Sequence, residues 1–146
     1  MASDLSTLCL EADVAEVVAS PEYSRWNLKL GDQLEILVTM SPSLKPEEQF
    51  QARLWWSEYP GTPPSLKFRN PVTGSLTDPR AWPQCPGFRP RSTDACVNWT
   101  AEGHGLHPEW KHATATRWRA EGNALFRVLC ILQDTLDLTF SGRYQG

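Results

Sequence analysis

Apolar residues recur along this chain with two different periods, and the change from one to the other predicts the order of its elements. Between Asp4 and Ala19, Leu5, Leu8, Ala12 and Ala15 fall on one face of a helix; Ser3 stands where an N-cap is wanted and Pro21 lies beyond the end. A first helix with those four residues turned to the core is expected, although the β-branched pair Val17-Val18 would also suit a short strand. A period of two then takes over. Trp26, Leu28 and Leu30 alternate, Gly31-Asp32 offers a two-residue turn, and Leu34, Ile36 and Val38 alternate again, which predicts a hairpin. After a turn from Ser41 to Pro46, Phe50, Ala52, Leu54 and Trp56 predict a third strand, and Leu66 and Phe68 a short fourth one over Ser65 to Arg69.

From Asn70 to His112 the regular pattern stops. Pro71, Gly74, Pro79, Pro83, Pro86, Pro90 and Pro108 punctuate it too often for regular elements, so a long loop is expected, and a loop of that length inside a compact domain is usually functional. The helical period returns at Leu125, Val128, Leu129, Leu132 and Leu136, which predicts an amphipathic helix from Ala124 to Asp137 packed on the sheet. Ser141 to Gly146 reads as a frayed tail. The sum is one α+β domain over residues 1–146.

Composition narrows the function. With 14 basic and 17 acidic residues and a net charge of −3, the chain lacks the basic excess that phosphate neutralisation requires, so nucleic acid is not an expected partner. The first ten residues have neither a basic start nor a long apolar run, so no signal peptide, no membrane anchor and a cytoplasmic location are expected. Four cysteines then read as reduced thiols rather than a disulfide framework. Asn98-Trp99-Thr100 has the form of a glycosylation acceptor but is set aside for the same reason. Seven tryptophans imply large apolar anchors, most of them in the core.

The densest signal is the run Tyr59-Pro60-Gly61-Thr62-Pro63-Pro64-Ser65-Leu66-Lys67-Phe68, with Cys96 downstream in Asp94-Ala95-Cys96-Val97-Asn98-Trp99. Prolines fix φ and remove donors, so the run is expected as a stiff, exposed connector that positions the segment after it. That segment carries a thiol with a carboxylate two residues before it and two histidines soon after. As a thiolate, Cys96 would be a nucleophile and a good leaving group. Arg89 and Arg91 would favour the thiolate and Asp94 oppose it. Asp94, His104 and His107 are candidates to orient or deprotonate an incoming amine, and Asn98 to stabilise an oxyanion. The plainer readings are a small buried residue for Cys96, loop capping for Asp94 and Asn98, and solvated loop positions for both histidines. Cys9 and Cys130 read as core, and Cys85, between prolines, is assigned no role in this chemistry.

Helix, antiparallel meander, Tyr-Pro-x-x-Pro-Pro-x-x-x-Phe, a cysteine-bearing loop, a tryptophan and an amphipathic helix: in spacing and order the chain resembles the ubiquitin-conjugating enzymes over roughly Leu34 to Asp137. Tyr59, Pro60, Pro63, Pro64 and Phe68 match the family's proline motif, Cys96 its thioester-forming cysteine and Trp110 the tryptophan after it. The resemblance implies a ubiquitin-conjugating-like fold with no cofactor and no metal. It implies that Cys96 receives a ubiquitin-like protein from a ubiquitin-activating-type enzyme and passes it to an amine of a protein substrate. The family's His-Pro-Asn motif is absent between Phe68 and Cys96, so oxyanion support must come from elsewhere. The loop is longer than usual, and the family's two terminal helices are not expected after the last one. Such a short, divergent form looks like the bacterial ubiquitin-conjugating-like proteins, some of which serve antiphage operons. Two other readings stand beside it: an inactive member that binds ubiquitin-like proteins or acts as a scaffold, and a zinc site built from Cys85, Cys96, His104 and His107, whose spacing fits structural zinc poorly.

Overall fold

The computed structural model of the protein describes residues 3–146. Helix α1, Asp4–Val18, begins at Ser3, whose hydroxyl accepts the Ser6 N–H as an N-cap should. Strands β1 (Asn27–Leu30), β2 (Glu35–Met40), β3 (Phe50–Trp55) and β4 (Ser65–Arg69) form one antiparallel meander in sequence order. Alternate residues on its inner face, Leu28, Ile36, Val38, Met40, Ala52, Leu54, Leu66 and Phe68 among them, are buried, which is the one-sided alternation the sequence predicts. Helix α3, Ala124–Thr139, puts Leu125, Val128, Leu129, Leu132 and Leu136 into that core, and α1 packs against α3. The Trp26 indole donates to Gln133 Oε1 at 3.0 Å, a buried polar link from the start of the sheet to α3. The architecture is therefore α+β, with an N-terminal helix, a four-stranded antiparallel sheet and a C-terminal helix. Among the described residues no helix is long and apolar enough to cross a membrane.

Four expectations need correction. The first concerns the buried face of α1: Leu5 and Leu8 are 72% and 64% exposed, and Ala12 and Ala15 are exposed with them, while Ser6, Leu10 and Val17 are buried. The cause is polar docking. The Ser6 hydroxyl accepts the Tyr59 N–H at 3.0 Å and the Asp13 carboxylate accepts the Tyr59 hydroxyl, so the helix turns hydrogen-bonding groups inward and leaves leucines out. Second, the β1–β2 connection is longer than two residues. Leu30 pairs with Ile36, and Gln33 and Leu34 both lie in the left-handed region at φ 56 and 64, which buries Leu34 beneath the turn.

Third, the proline run is not an exposed connector. Tyr59 and Pro64 are buried, and the Tyr59 ring stands edge-on to Trp56 at 5.1 Å. Fourth, neither the stretch after β4 nor the tail lacks order. Residues 70–112 contain three 3₁₀ turns, a small hairpin of β5 (Phe88–Arg89) and β6 (Asp94–Ala95), and helix α2 (Ala101–Leu106). The tail is bonded to that stretch: the Gln84 N–H donates to the Gly142 carbonyl at 2.9 Å, and Tyr144 donates to Trp82 at 3.0 Å. The Arg143 guanidinium covers the Phe50 ring at 4.2 Å and donates to the Gln49 carbonyl at 2.7 Å.

Tyr59 is the bolt of this arrangement. Its hydroxyl donates to Asp13 on α1 and accepts the Leu125 N–H at 3.0 Å in the first turn of α3, so one phenol joins both helices to the proline run. Burial, and then the hydrogen bond to Asp13, push its ionisation far above the ordinary value of 10.0. A pKa raised by folding means that the fold favours the neutral phenol: that contribution is intact below pH 10 and is lost as pH rises beyond the unfolded-state value. Tyr59→Phe is expected to cost about 2 kcal/mol at neutral pH in urea unfolding, because it orphans the buried Leu125 N–H and the half-buried Asp13 carboxylate. The wild-type advantage should shrink in alkaline titration above pH 10. A variant as stable as wild type at neutral pH would contradict this role.

Candidate active site around Cys96

Cys96 leaves the end of β6 on a backbone held from three sides. Before it, Gly87 sits at φ 84, where a Cβ would come within 2.6 Å of Val97 Cγ1 and 3.1 Å of the Cys96 carbonyl oxygen. Only glycine lets the chain pass there. The Gly87 carbonyl then accepts the Cys96 N–H at 2.8 Å. The turn of the hairpin is tied to the main sheet, since the Lys67 ammonium on β4 donates to the Thr93 carbonyl at 2.7 Å.

After Cys96, Thr100 closes the loop and opens α2. Its hydroxyl donates to the Ala95 carbonyl at 2.6 Å and accepts the Gly103 N–H at 3.1 Å, the N-cap bond of the helix. Gly103 brings α2 against the cysteine segment: a Cβ there would stand 2.1 Å from the Val97 carbonyl oxygen and 2.8 Å from its nitrogen.

The third side is the proline run. The Ala101 N–H donates to the Pro64 carbonyl at 2.8 Å, and Glu102 accepts the Ser65 hydroxyl at 2.5 Å and the Leu66 N–H at 3.3 Å. Farther along, the Trp118 indole donates to the Pro60 carbonyl at 2.8 Å. The prolines thus brace the loop not by stiffness alone but by presenting carbonyls, acceptors with no competing N–H of their own at Pro60 and Pro64.

Cys96 is half-buried. By contrast, Cys85 is buried with its sulfur 4.0 Å from the Thr135 carbonyl, and burial raises its thiol above the ordinary range. Burial, then Asp134 and Glu22, raise Cys130 likewise. A thiol whose pKa is raised has a smaller thiolate fraction, which disfavours these two as nucleophiles.

The other candidates are near Cys96 in sequence but mostly engaged. Asp94 accepts two hydrogen bonds of 2.7 and 2.6 Å from the Arg89 guanidinium across the β5–β6 pair, and this contact raises Arg89 further above its ordinary range. Arg89 and Asp94 are thus engaged with each other across the hairpin. Arg91 turns away to the Tyr144 hydroxyl at 2.8 Å.

His104 is buried, not a solvated loop residue. Its Nε2 lies 2.7 Å from the Asn98 carbonyl, so that nitrogen carries the proton, and its ring stands edge-on to Trp110 at 5.8 Å. It holds the segment two residues beyond Cys96. His107 stacks flat on Trp110 at 4.3 Å with Nδ1 3.3 Å from Glu109. Asn98 is exposed, with its amide nitrogen 3.3 Å from the Ala115 carbonyl. Among the described residues no three His, Cys, Asp or Glu side chains could share a metal ion, so Cys85, Cys96, His104 and His107 are not brought together.

Gly87, Thr100, Glu102 and Gly103 do the positioning, and the sequence pattern alone does not single them out. Thr100 ahead of Ala-Glu is a helix-start signal, masked by Gly103 and Gly105, which read as breakers. Compared with known proteins, the chain matches no family model, no curated protein and no solved structure.

Helix propensity alone would make Gly103→Ala stabilising by about 1 kcal/mol. The Val97 backbone reverses the sign, and a net loss of about 2 kcal/mol is expected from the forced separation of α2 and the cysteine segment. Urea unfolding of the variant checks it, and a raised midpoint would contradict the close approach.

Proposed function

We propose that the protein is a ubiquitin-conjugating-like carrier: Cys96 takes a ubiquitin-like protein from an activating enzyme as a thioester and gives it to an amine of a protein substrate. The observation that carries this reading is a half-buried cysteine on a loop that Thr100 closes onto α2, a helix itself hydrogen-bonded to the proline run. A carrier needs a nucleophile that is reachable yet fixed, so that the acyl group is presented in one geometry.

In loading, the Cys96 thiolate attacks the activating enzyme's thioester; one C–S bond forms, one breaks, and the enzyme's thiolate leaves. In discharge, an amine attacks the carbonyl, a C–N bond forms, Cys96 leaves as thiolate and the amine's proton passes to solvent. Asn98 is the side-chain amide nearest in sequence to the oxyanion of that second step, and it must exchange its contact with Ala115 to serve it. His104 acts by holding the Asn98 backbone, and Asp94 by closing the hairpin through Arg89; both are positioning residues. His107, on the surface of Trp110, is the titratable group left to meet an incoming amine. A cytoplasmic bacterial conjugation pathway, including an antiphage one, suits this chemistry.

The engaged state of Asn98 and the missing His-Pro-Asn favour one second reading, an inactive relative that binds a ubiquitin-like protein without accepting it. The two separate in a single assay with a ubiquitin-like protein, its activating enzyme and ATP, read on a non-reducing gel. The carrier gives an adduct that thiols reverse and Cys96→Ala abolishes. An adduct that survives Cys96→Ala would sink the carrier reading, and co-purification of the modifier with no adduct would favour the binding module.

A further inference from the structure

Beside the Cys96 loop lies a depression of about 230 Å³ walled by Asn98, Trp118, Arg117, Arg119 and Arg127. Charge is segregated here. Residues 111–127 contain Lys111 and these three arginines against one carboxylate, Glu121, in a chain whose net charge is −3. Glu121 reaches Arg117 at 3.6 Å, and no carboxylate among the described residues is within ion-pair distance of Arg119 or Arg127.

Arg127 is built in rather than loose. It donates to the Glu121 carbonyl at 2.7 Å and to the Arg119 carbonyl, and it lies 5.7 Å from the Trp118 ring centre. It therefore fixes the strap that carries Arg117 and Arg119, both of which are exposed. Such an array of planar cations is suited to carboxylates, which guanidinium groups bind through two parallel hydrogen bonds.

We infer that this depression recognises acidic residues flanking the acceptor amine, so that the preferred substrate is a lysine in a carboxylate-rich segment. The inference rests on the carrier reading of Cys96 and adds the substrate's chemical class to it. Proximity supports it, because Asn98 borders the depression and two residues of chain span at most about 7 Å. Binding there places an acceptor next to the thiol and converts charge complementarity into local concentration.

Nucleic acid fits less well. Trp118 has its indole N–H committed to Pro60 and Arg127 against its ring, so it is not a free stacking platform, and the rest of the chain is acidic.

The test is an NMR titration of the thioester-free protein, following the Trp118 indole signal. The probe is a peptide in which one lysine precedes three glutamates. Saturable shifts are expected, with affinity falling by about tenfold when glutamines replace the glutamates or when Arg117→Glu and Arg119→Glu are combined. Equal binding of the glutamine peptide, unchanged binding by the doubly substituted protein, or tighter binding of an oligothymidylate would each overturn the inference.

A discharge assay with the same two peptides completes it: thioester on Cys96 should clear faster onto the acidic one. If no thioester forms, the carrier reading fails, while the titration still decides whether the depression selects acidic segments.

Discussion

At Gly103 helix α2 comes so close to the Cys96–Val97 backbone that no side-chain carbon fits between them, and the order of the whole loop depends on that approach. Loops cannot hide backbone polar groups without partners. Here partners are supplied by what α2 brings: the Thr100 hydroxyl for Ala95, the His104 imidazole for Asn98 and the Ala101 N–H for Pro64. Move the helix out by one methyl group and each of these bonds lengthens together. A segment of 43 residues between β4 and the end of the last 3₁₀ turn is thereby held without a long helix or strand of its own.

The same logic runs from the loop into the body. Tyr59 at the start of the proline run is fixed by α1 through Ser6 and Asp13 and by α3 through Leu125, while Pro60 next to it and Pro64 near the middle of the run accept from Trp118 and Ala101. Both helices of the core therefore bear on the carbonyls that brace Cys96. Chemistry at the thiol and stability of the core share one set of contacts, which is why a methyl group at Gly103 or a missing hydroxyl at Tyr59 is felt well beyond its own position.

Where order arises locally, the sequence reveals it. The meander is legible because one face is buried, so Ile36, Val38, Ala52, Leu54, Leu66 and Phe68 alternate with less buried, mostly polar neighbours. Helix α3 is legible for the matching reason at a period of 3.6. The buried face of α1 is not, because its docking groups are Ser6 and Asp13, which hydrophobicity alone ranks outward. Nor is the stretch from 70 to 112, whose order comes from partners far away in the chain, such as Lys67 for Thr93 and Gly142 for Gln84. Proline and glycine there signal irregular backbone correctly, but irregular backbone and disorder are different things. The candidate thiol is legible and its supports are not: Cys96 announces itself by chemistry, whereas Gly87 and Gly103 act by what they lack.

A positioned nucleophile at Cys96 requires a clamped loop, and amide hydrogen exchange measures that directly. If the Gly87 and Pro64 carbonyls hold the Cys96 and Ala101 N–H groups as the geometry indicates, both amides should exchange with protection approaching that of β3 in the centre of the sheet. Exchange of these two amides at the rate of an open loop, with β3 protected, would contradict the clamp and with it the case for Cys96 as a positioned nucleophile.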